Sequence, residues 1–308
     1  MRVAVIGPAR FSGSPVCLEL LNRGHDVVGI SRNPGRLGKH ERYTSFELDI
    51  GLATIREITD AFNGIDVLVN AYNPPAGPNL YNSEMYIETT RKIIIAVKAA
   101  KVGYTIMIGG TGSLEIPGEP YVTCADSREF WLAYRRGVAD SEAATQHAQD
   151  RFGGAIAEGA RAYRNARIAL HAGKATDADH KVMQDVDDTV LHGENWIPDL
   201  PIAARASFLM FEGNCSFDWT FVSPPGGFRP GPRTGSHEIY IDVVPLAKEA
   251  KVSSSDQNAY EGRISGVSAA DLAVSIVDEA EKREKVGKHW TAVSEWPDDE
   301  AMPSYLTT

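Results

Sequence analysis

The residues best placed to do chemistry come early in the chain. An apolar run, Val3-Ala4-Val5-Ile6, leads into Gly7-Pro8-Ala9-Arg10-Phe11-Ser12-Gly13 and then into a stretch of helical periodicity. That spacing suits a dinucleotide-binding turn: a first glycine for the sharp turn, a last glycine for close helix–strand packing, and a helix N-terminus aimed at a pyrophosphate. Arg10 replaces the middle glycine of that pattern, where backbone would approach phosphate. The segment therefore reads either as a phosphate loop or as a plain strand–turn–helix. Further on, Tyr121, Trp131 and Tyr134 are candidates to wall a pocket for a planar substrate, or else to pack a core or cap. His171, His180 and His192 lack the spacing of zinc ligands and have no cysteine pair beside them, so no metal site is expected. Gly110-Thr111-Gly112-Ser113-Leu114 lacks the closing glycine of a nucleophile elbow.

These residues sit in a chain that alternates two periods. Short apolar runs at Val3–Ile6, Asp26–Ile30, Phe46–Leu48, Asp66–Asn70 and Tyr104–Ile108 read as strands. Helical spacing separates them, at Gly13 to Arg23, around Ile55, Ile58 and Phe62, and through Ile87, Ile94, Val97 and Ala100. Strands alternating with helices imply right-handed crossovers and a parallel sheet, and runs without in–out alternation imply a sheet covered on both faces. The expected fold class is α/β, a doubly wound, Rossmann-type parallel sheet. Residues 119–200 carry no strand signal, and Ser141–Ala148 and Asp177–Leu191 look helical. This segment is a helical insertion or lid after strand five, or a partly disordered one. Order resumes at Ile202–Phe211 and in a sixth strand, Asp218–Ser223. A Gly/Pro-rich loop from Gly226 to Gly235 follows, and then a helix from Ser268 to Lys282 with Ser268 as its N-cap. The expected partition is 1–118 for a dinucleotide-binding part, 119–200 for the insertion, 201–294 for the last strands with substrate-binding loops, and 295–308 for a frayed tail.

Composition narrows the function class. The chain has 308 residues, of which 43% are hydrophobic and 23% charged, enough for a large packed core. Lys plus Arg number 31 against 41 Asp plus Glu, a net charge of −10 that argues against a nucleic-acid-binding face. No apolar run is long enough to span a bilayer, and the N-terminus lacks a signal peptide's apolar region. Three scattered cysteines make a disulfide framework unexpected. A cytoplasmic protein acting on a small molecule, away from membrane and nucleic acid, is the expectation.

Several further segments fall in a familiar order: Leu21-Asn22-Arg23-Gly24-His25-Asp26-Val27, Ser31-Arg32-Asn33-Pro34, Leu48-Asp49-Ile50, Gly64 to Ala71, Gly109 to Glu115 and Asp218 to Pro224. With the Gly7–Gly13 turn they resemble the NAD(P)H-binding, atypical short-chain dehydrogenase/reductase family, in particular its NADH-flavin reductase-like and NmrA-like branch. The resemblance covers roughly residues 1–120 and 200–293. It implies that Gly7, Arg10, Phe11, Ser12 and Gly13 hold the pyrophosphate and that Arg32 accepts the 2′-phosphate of NADP(H), which would be preferred over NAD(H). Asp49 and Ile50 would flank the adenine, and Asn70, Ala71 and Tyr72 would line the ribose. Gly109 and Gly110 would lie at the ligand edge of the sheet.

The resemblance also implies chemistry. Ser113 would orient a carbonyl, or else be a turn residue capping local backbone. Apart from the resemblance, Glu115, Tyr121, Trp131, Pro224 and Phe228 are expected to contact substrate from their residue types and positions, with Tyr134 a second catalytic candidate. The larger short-chain family pairs a tyrosine with a lysine four residues on, and no tyrosine here has one. Tyr163 with Arg167 comes nearest and reads as a helix-surface pair. Three functions fit: an NADP-dependent reductase of a small aromatic or conjugated carbonyl compound, an isomerase or cyclase with no net redox, and a non-catalytic NmrA-like dinucleotide sensor.

Overall fold

A computed structural model of the chain describes residues 1–74, 83–247, 258–295, 302–303 and 305–308. The strands β1 (Arg2–Ile6), β2 (Asp26–Ser31), β3 (Tyr43–Glu47), β4 (Val67–Asn70) and β5 (Tyr104–Ile108) alternate with helices α1 (Gly13–Asn22), α2 (Ile55–Ala61) and α3 (Ser83–Ala100). Four helices follow, α4 (Arg128–Asp140), α5 (Glu142–Phe152), α6 (Gly154–His171) and α7 (Asp177–His192), then α8 (Asp199–Phe208). The chain then adds β6 (Trp219–Val222), β7 (Gly227–Arg229), β8 (Glu238–Ile241), β9 (Gly266–Ser268), α9 (Ala269–Lys282) and β10 (His289–Val293).

The eight-stranded sheet runs β3-β2-β1-β4-β5-β6-β10-β8, parallel except for β8, which pairs antiparallel with β10. Both faces are covered because successive side chains of one buried strand point opposite ways. Val3 and Val5 pack with α1 and α9 residues such as Leu20 and Ile276, while Ala4 and Ile6 pack with Ile58, Phe62 and Ile93 beneath α2 and α3. Strand order reverses between β1 and β4, which opens a crevice at the carboxyl edge. The third strand begins at Tyr43, before its expected start, because Tyr43 to Glu47 pair with Val27 to Ser31 of β2. Within the expected Gly/Pro-rich loop, Gly227–Arg229 pairs with Gly266–Ser268, since the two glycine backbones approach closely enough for a ladder.

The middle segment is a helical cap. Ser127, Ser141 and Thr176 cap α4, α5 and α7 with their hydroxyls. Ion pairs bind the cap helices together: Arg167 holds both oxygens of Asp140 at 2.7 Å, and Arg136 reaches Asp187 at 2.6 Å. Tyr163 and Arg167, expected on a helix surface, are both 5% exposed inside this network, where Tyr163 donates to Asp187 at 3.2 Å. The tail also differs from expectation. The Leu306 amide donates to Ser14 Oγ at 3.1 Å, and the Thr308 amide to the Leu37 carbonyl at 2.8 Å, so these residues are pinned to the dinucleotide half. Residues 296–301, part of the expected frayed tail, lie outside the described residues. Among the described residues no helix is long and apolar enough to cross a membrane.

Candidate functional site

The turn after β1 is built as its glycines require. Gly7 has φ +77°, and a Cβ there would stand 2.9 Å from the Ala71 carbonyl oxygen. A Cβ on Gly13 would stand 2.1 Å from the Gly7 carbonyl oxygen, so only glycine lets α1 pack so close. Ser12, at the N-cap of α1, makes no side-chain cap bond, and the first turn holds no acidic residue. The Ser14 amide donates to the Arg10 carbonyl at 2.8 Å and Pro15 has no N–H, so this helix end offers a ligand the Gly13 amide, with the positive end of the helix dipole behind it. Arg10 does not fill the loop: its side chain is exposed and lines the cleft.

That cleft, about 360 Å³, runs along the carboxyl edge from the loop to the cap. Its floor is Ala71 and Tyr72 after β4 and Gly109 to Gly112 after β5. The cap contributes Trp131, Tyr134 and Val138 from α4, Ala144, His147 and Arg151 from α5, and Pro201 and Ala204 from α8. Pro224 to Arg229 close the other side. Phe11 bridges loop and cap, its ring 4.1 Å from that of His147 and 4.6 Å from that of Phe228. Burial lowers His147 to about 4, helped by the charge of Arg151, so the imidazole is neutral at pH 7. A smaller recess of about 50 Å³ adjoins the cleft, lined by Gly7, Arg10, Arg32, Asp49, Ile50, Ala71 and Tyr72. There Arg32 Nε lies 3.9 Å from Asp49 Oδ2. Asp49 Oδ1 also accepts the Gly51 amide at 3.1 Å.

A family profile described as NAD(P)H-binding matches residues 9–153. This part of the chain, from the loop after β1 through α5, is similar to the NAD(P)H-binding family. The match runs through α5, further into the cap than the resemblance reached. The uncharacterized protein YwnB of Bacillus subtilis (strain 168) is 23% identical over 296 residues, which cover 96% of this chain and 99% of YwnB. A structure from Bacteroides thetaiotaomicron, provisionally named an epimerase, superposes with TM-score 0.62 at 21% identity, covering 96% of this chain and 98% of that one. A structure from Streptococcus pneumoniae TIGR4, provisionally named an NADH-flavin reductase, gives 0.61 at 17% identity, covering 96% and 100%. At these identities the likeness is one of fold.

The residues present fit the family's dinucleotide. The Gly7–Gly13 turn leaves the close approach a pyrophosphate needs, and the small recess places Arg32, Asp49 and Ile50 where an adenosine half would lie. Asn70 is 1% exposed and supports this edge from below, its Oδ1 accepting the Tyr72 amide at 3.0 Å.

Three expected substrate contacts lie elsewhere. Ser113 is 3% exposed, donates to the Gly110 carbonyl at 2.9 Å, and lies 2.7 Å from Ser223 Oγ beneath the cleft floor. The single 3-10 turn at Thr111–Ser113 swings it inward, toward His289, whose Nε2 is 2.9 Å from Ser223 Oγ. His289 Nδ1 is 3.6 Å from Asp242, so the set has the look of a hydrolytic triad. Burial, with the tilted Phe208 ring 4.3 Å from the imidazole, makes it a structural cluster instead. Glu115 is tied by bridges to Thr123 and Val243, away from the cleft lining. Tyr121 has φ +68° and is 87% exposed, pointing to solvent. Trp131, Tyr134, Pro224 and Phe228 do line the cleft. Sequence reading missed His147, Arg151 and Arg229, because nothing local marks a cap residue as facing the loop. The one available signal was the run of Ala144, His147, Ala148 and Arg151, a single helical face.

Proposed function

We propose that this protein is an NADP-dependent reductase of a small aromatic or conjugated carbonyl compound. The observation that carries the reading is Trp131: 6% exposed, on the cleft wall, with an indole N–H that has no partner among the described residues. A buried donor without an acceptor costs about 1–3 kcal/mol, so such a donor is best explained by an acceptor that a ligand brings. The Tyr134 ring lies 4.6 Å away, and Gly226 and Ile264 complete an uncharged, flat-walled end. A planar conjugated carbonyl supplies both the flat face and the acceptor. The nicotinamide, when bound, supplies hydride to such a substrate. Trp131 polarises the oxygen, Tyr134 Oη provides a proton to it, and α4 and α5 shield the cleft from water. Among the described residues the cleft lining holds no lysine, so Tyr134 works without the usual partner, which suits quinone-like acceptors that need little acid–base help.

Preference for NADP(H) rests on Arg32. Its contact with Asp49 is long and nearly half exposed on both sides, a pair worth under ~1 kcal/mol. A dianionic 2′-phosphate would outcompete it. A second reading, an isomerase, epimerase or cyclase with no net redox, is favoured by Ser113 facing away from the cleft together with the missing Tyr–Lys pair. A turnover screen of quinones and aromatic aldehydes, followed by NADPH absorbance, separates the two. If no acceptor oxidises NADPH, the reductase reading fails.

A further inference from the structure

Residues 305–308 are fastened to the dinucleotide half at two places. At the first, the Leu306 amide donates to Ser14 Oγ at 3.1 Å, and Ser14 is buried in the first turn of α1. At the second, the Thr308 amide donates to the Leu37 carbonyl at 2.8 Å and the Thr308 hydroxyl to the same oxygen at 3.2 Å. Gly38 makes room for this threonine: its φ is +119°, and a Cβ there would stand 2.1 Å from Thr308 Oγ1. Leu37 ends the turn Pro34–Leu37, which follows Arg32 in the chain. The segment thus runs as a strap from the start of α1 to the loop that bears Arg32. Tyr305 borders the cleft. Peptide geometry keeps its Cα within about 6 Å of Ser14 Oγ, because one peptide bond joins Tyr305 to the Leu306 nitrogen. Tyr305 therefore stands at the rim of the turn after β1, and its hydroxyl has no hydrogen-bond partner among the described residues.

We propose that this strap is part of the dinucleotide site, and that Tyr305 donates its hydroxyl to a pyrophosphate oxygen of the bound cofactor. This rests on the turn after β1 being the dinucleotide loop. A pyrophosphate is held by several donors at once, and donors at this helix end are few. Helix α1 offers the Gly13 amide, since the Ser14 amide is taken by the Arg10 carbonyl and Pro15 has no N–H. Arg10 stands where the middle glycine would allow the closest backbone approach. A phenol at the same rim supplies a further donor. The bond from Leu306 to Ser14 ties that phenol to the helix whose N-terminus faces the phosphate, so the tyrosine is positioned by the element it assists. The second anchor, at Leu37, stretches the strap toward the adenosine side and keeps the segment from swinging away.

The test is calorimetric titration of the intact protein with NADPH, NADH and 2′-AMP, for wild type, Tyr305→Phe and Leu306→Pro. Tyr305→Phe keeps the ring and removes the donor, so NADPH and NADH should weaken by the same factor. That factor is about fivefold, less than is usual for a bond to a charged group, because Tyr305 is 43% exposed. 2′-AMP, which has no pyrophosphate, should bind as to wild type. Leu306→Pro keeps the tyrosine but deletes the N–H that ties it to Ser14, and it should weaken both dinucleotides to a similar extent. Neither residue belongs to the buried core, so both variants should keep the wild-type thermal midpoint. Unchanged dinucleotide affinity in Tyr305→Phe overturns the contact. Tighter binding by either variant overturns it too, because the strap would then be an obstruction that the cofactor displaces. A loss shared by 2′-AMP assigns Tyr305 to the adenosine half and overturns the contact likewise. If wild type binds neither dinucleotide, the loop reading itself falls and the role of the strap with it.

Discussion

Lowering the pH from 7 to 5 should destabilise this protein by about 4 kcal/mol through two buried histidines. Burial takes His289 down to about 3 and His147 to about 4, against an ordinary value of 6.5 in the unfolded chain. A depressed folded-state pKa contributes stability that is complete above 6.5 and is lost as the pH falls toward the folded value. At pH 5 the unfolded chain has taken up both protons and the folded chain neither. Each proton costs about 1.4 kcal/mol per pH unit over the interval from 6.5 to 5, or roughly 2 kcal/mol per histidine. Around His289 stand Ser113, Ser223, Phe208 and Phe221, with Asp242 at 3.6 Å and more than half exposed, so little offsets the burial. For 308 residues the unfolding entropy is about 0.65 kcal/mol/K, and the expected fall in Tm is roughly 6 °C. The assay is thermal unfolding by circular dichroism at pH 7 and pH 5, at constant ionic strength and without ligand. His289→Gln should remove about half of the pH-dependent fall. A Tm independent of pH over this range, or an undiminished fall in His289→Gln, would refute the reasoning.

Other perturbations separate the cleft from its supports. Arg32→Asp should narrow or reverse the preference for NADPH over NADH by about tenfold or more, measured by calorimetry, and equal affinities in the wild type would contradict the role given to Arg32. Trp131→Phe keeps an aromatic wall but removes the unpaired donor, so kcat/KM for a quinone acceptor should fall about tenfold while dinucleotide affinity holds; unchanged kcat/KM would leave the indole N–H without a function. Ser113→Ala should cost about 1–2 kcal/mol of stability by unmaking the bonds to Gly110 and Ser223, with kcat nearly unchanged, and a large fall in kcat at normal stability would return Ser113 to the chemistry.

Much of the dinucleotide half was legible because its signals are local. Gly7 and Gly13 mark the turn, apolar runs mark the buried strands, and Ser268 marks the start of α9 with its hydroxyl accepting the Asp271 amide. The side facing the substrate was harder to read. Ser113 has the right residue type at the right distance from β5, but one 3-10 turn decides whether its hydroxyl faces cleft or core. Tyr163 and Arg167 have the spacing of a surface pair, and only the partners brought by α7 and by Glu261 turn them inward. Tyr121 was placed by composition, whereas its left-handed backbone sends the ring to solvent. Tertiary contacts of this kind leave no trace in periodicity.

The two recesses share a wall, since Arg10, Ala71, Tyr72 and Asn73 border both. A dinucleotide lying along that wall would become one surface of the chamber in front of Trp131, and a substrate arriving first would obstruct it. Turnover should therefore follow a compulsory order, cofactor on first and off last. Oxidised dinucleotide would inhibit competitively against the reduced form and non-competitively against the acceptor, and a pattern competitive against both would mean that either may bind first.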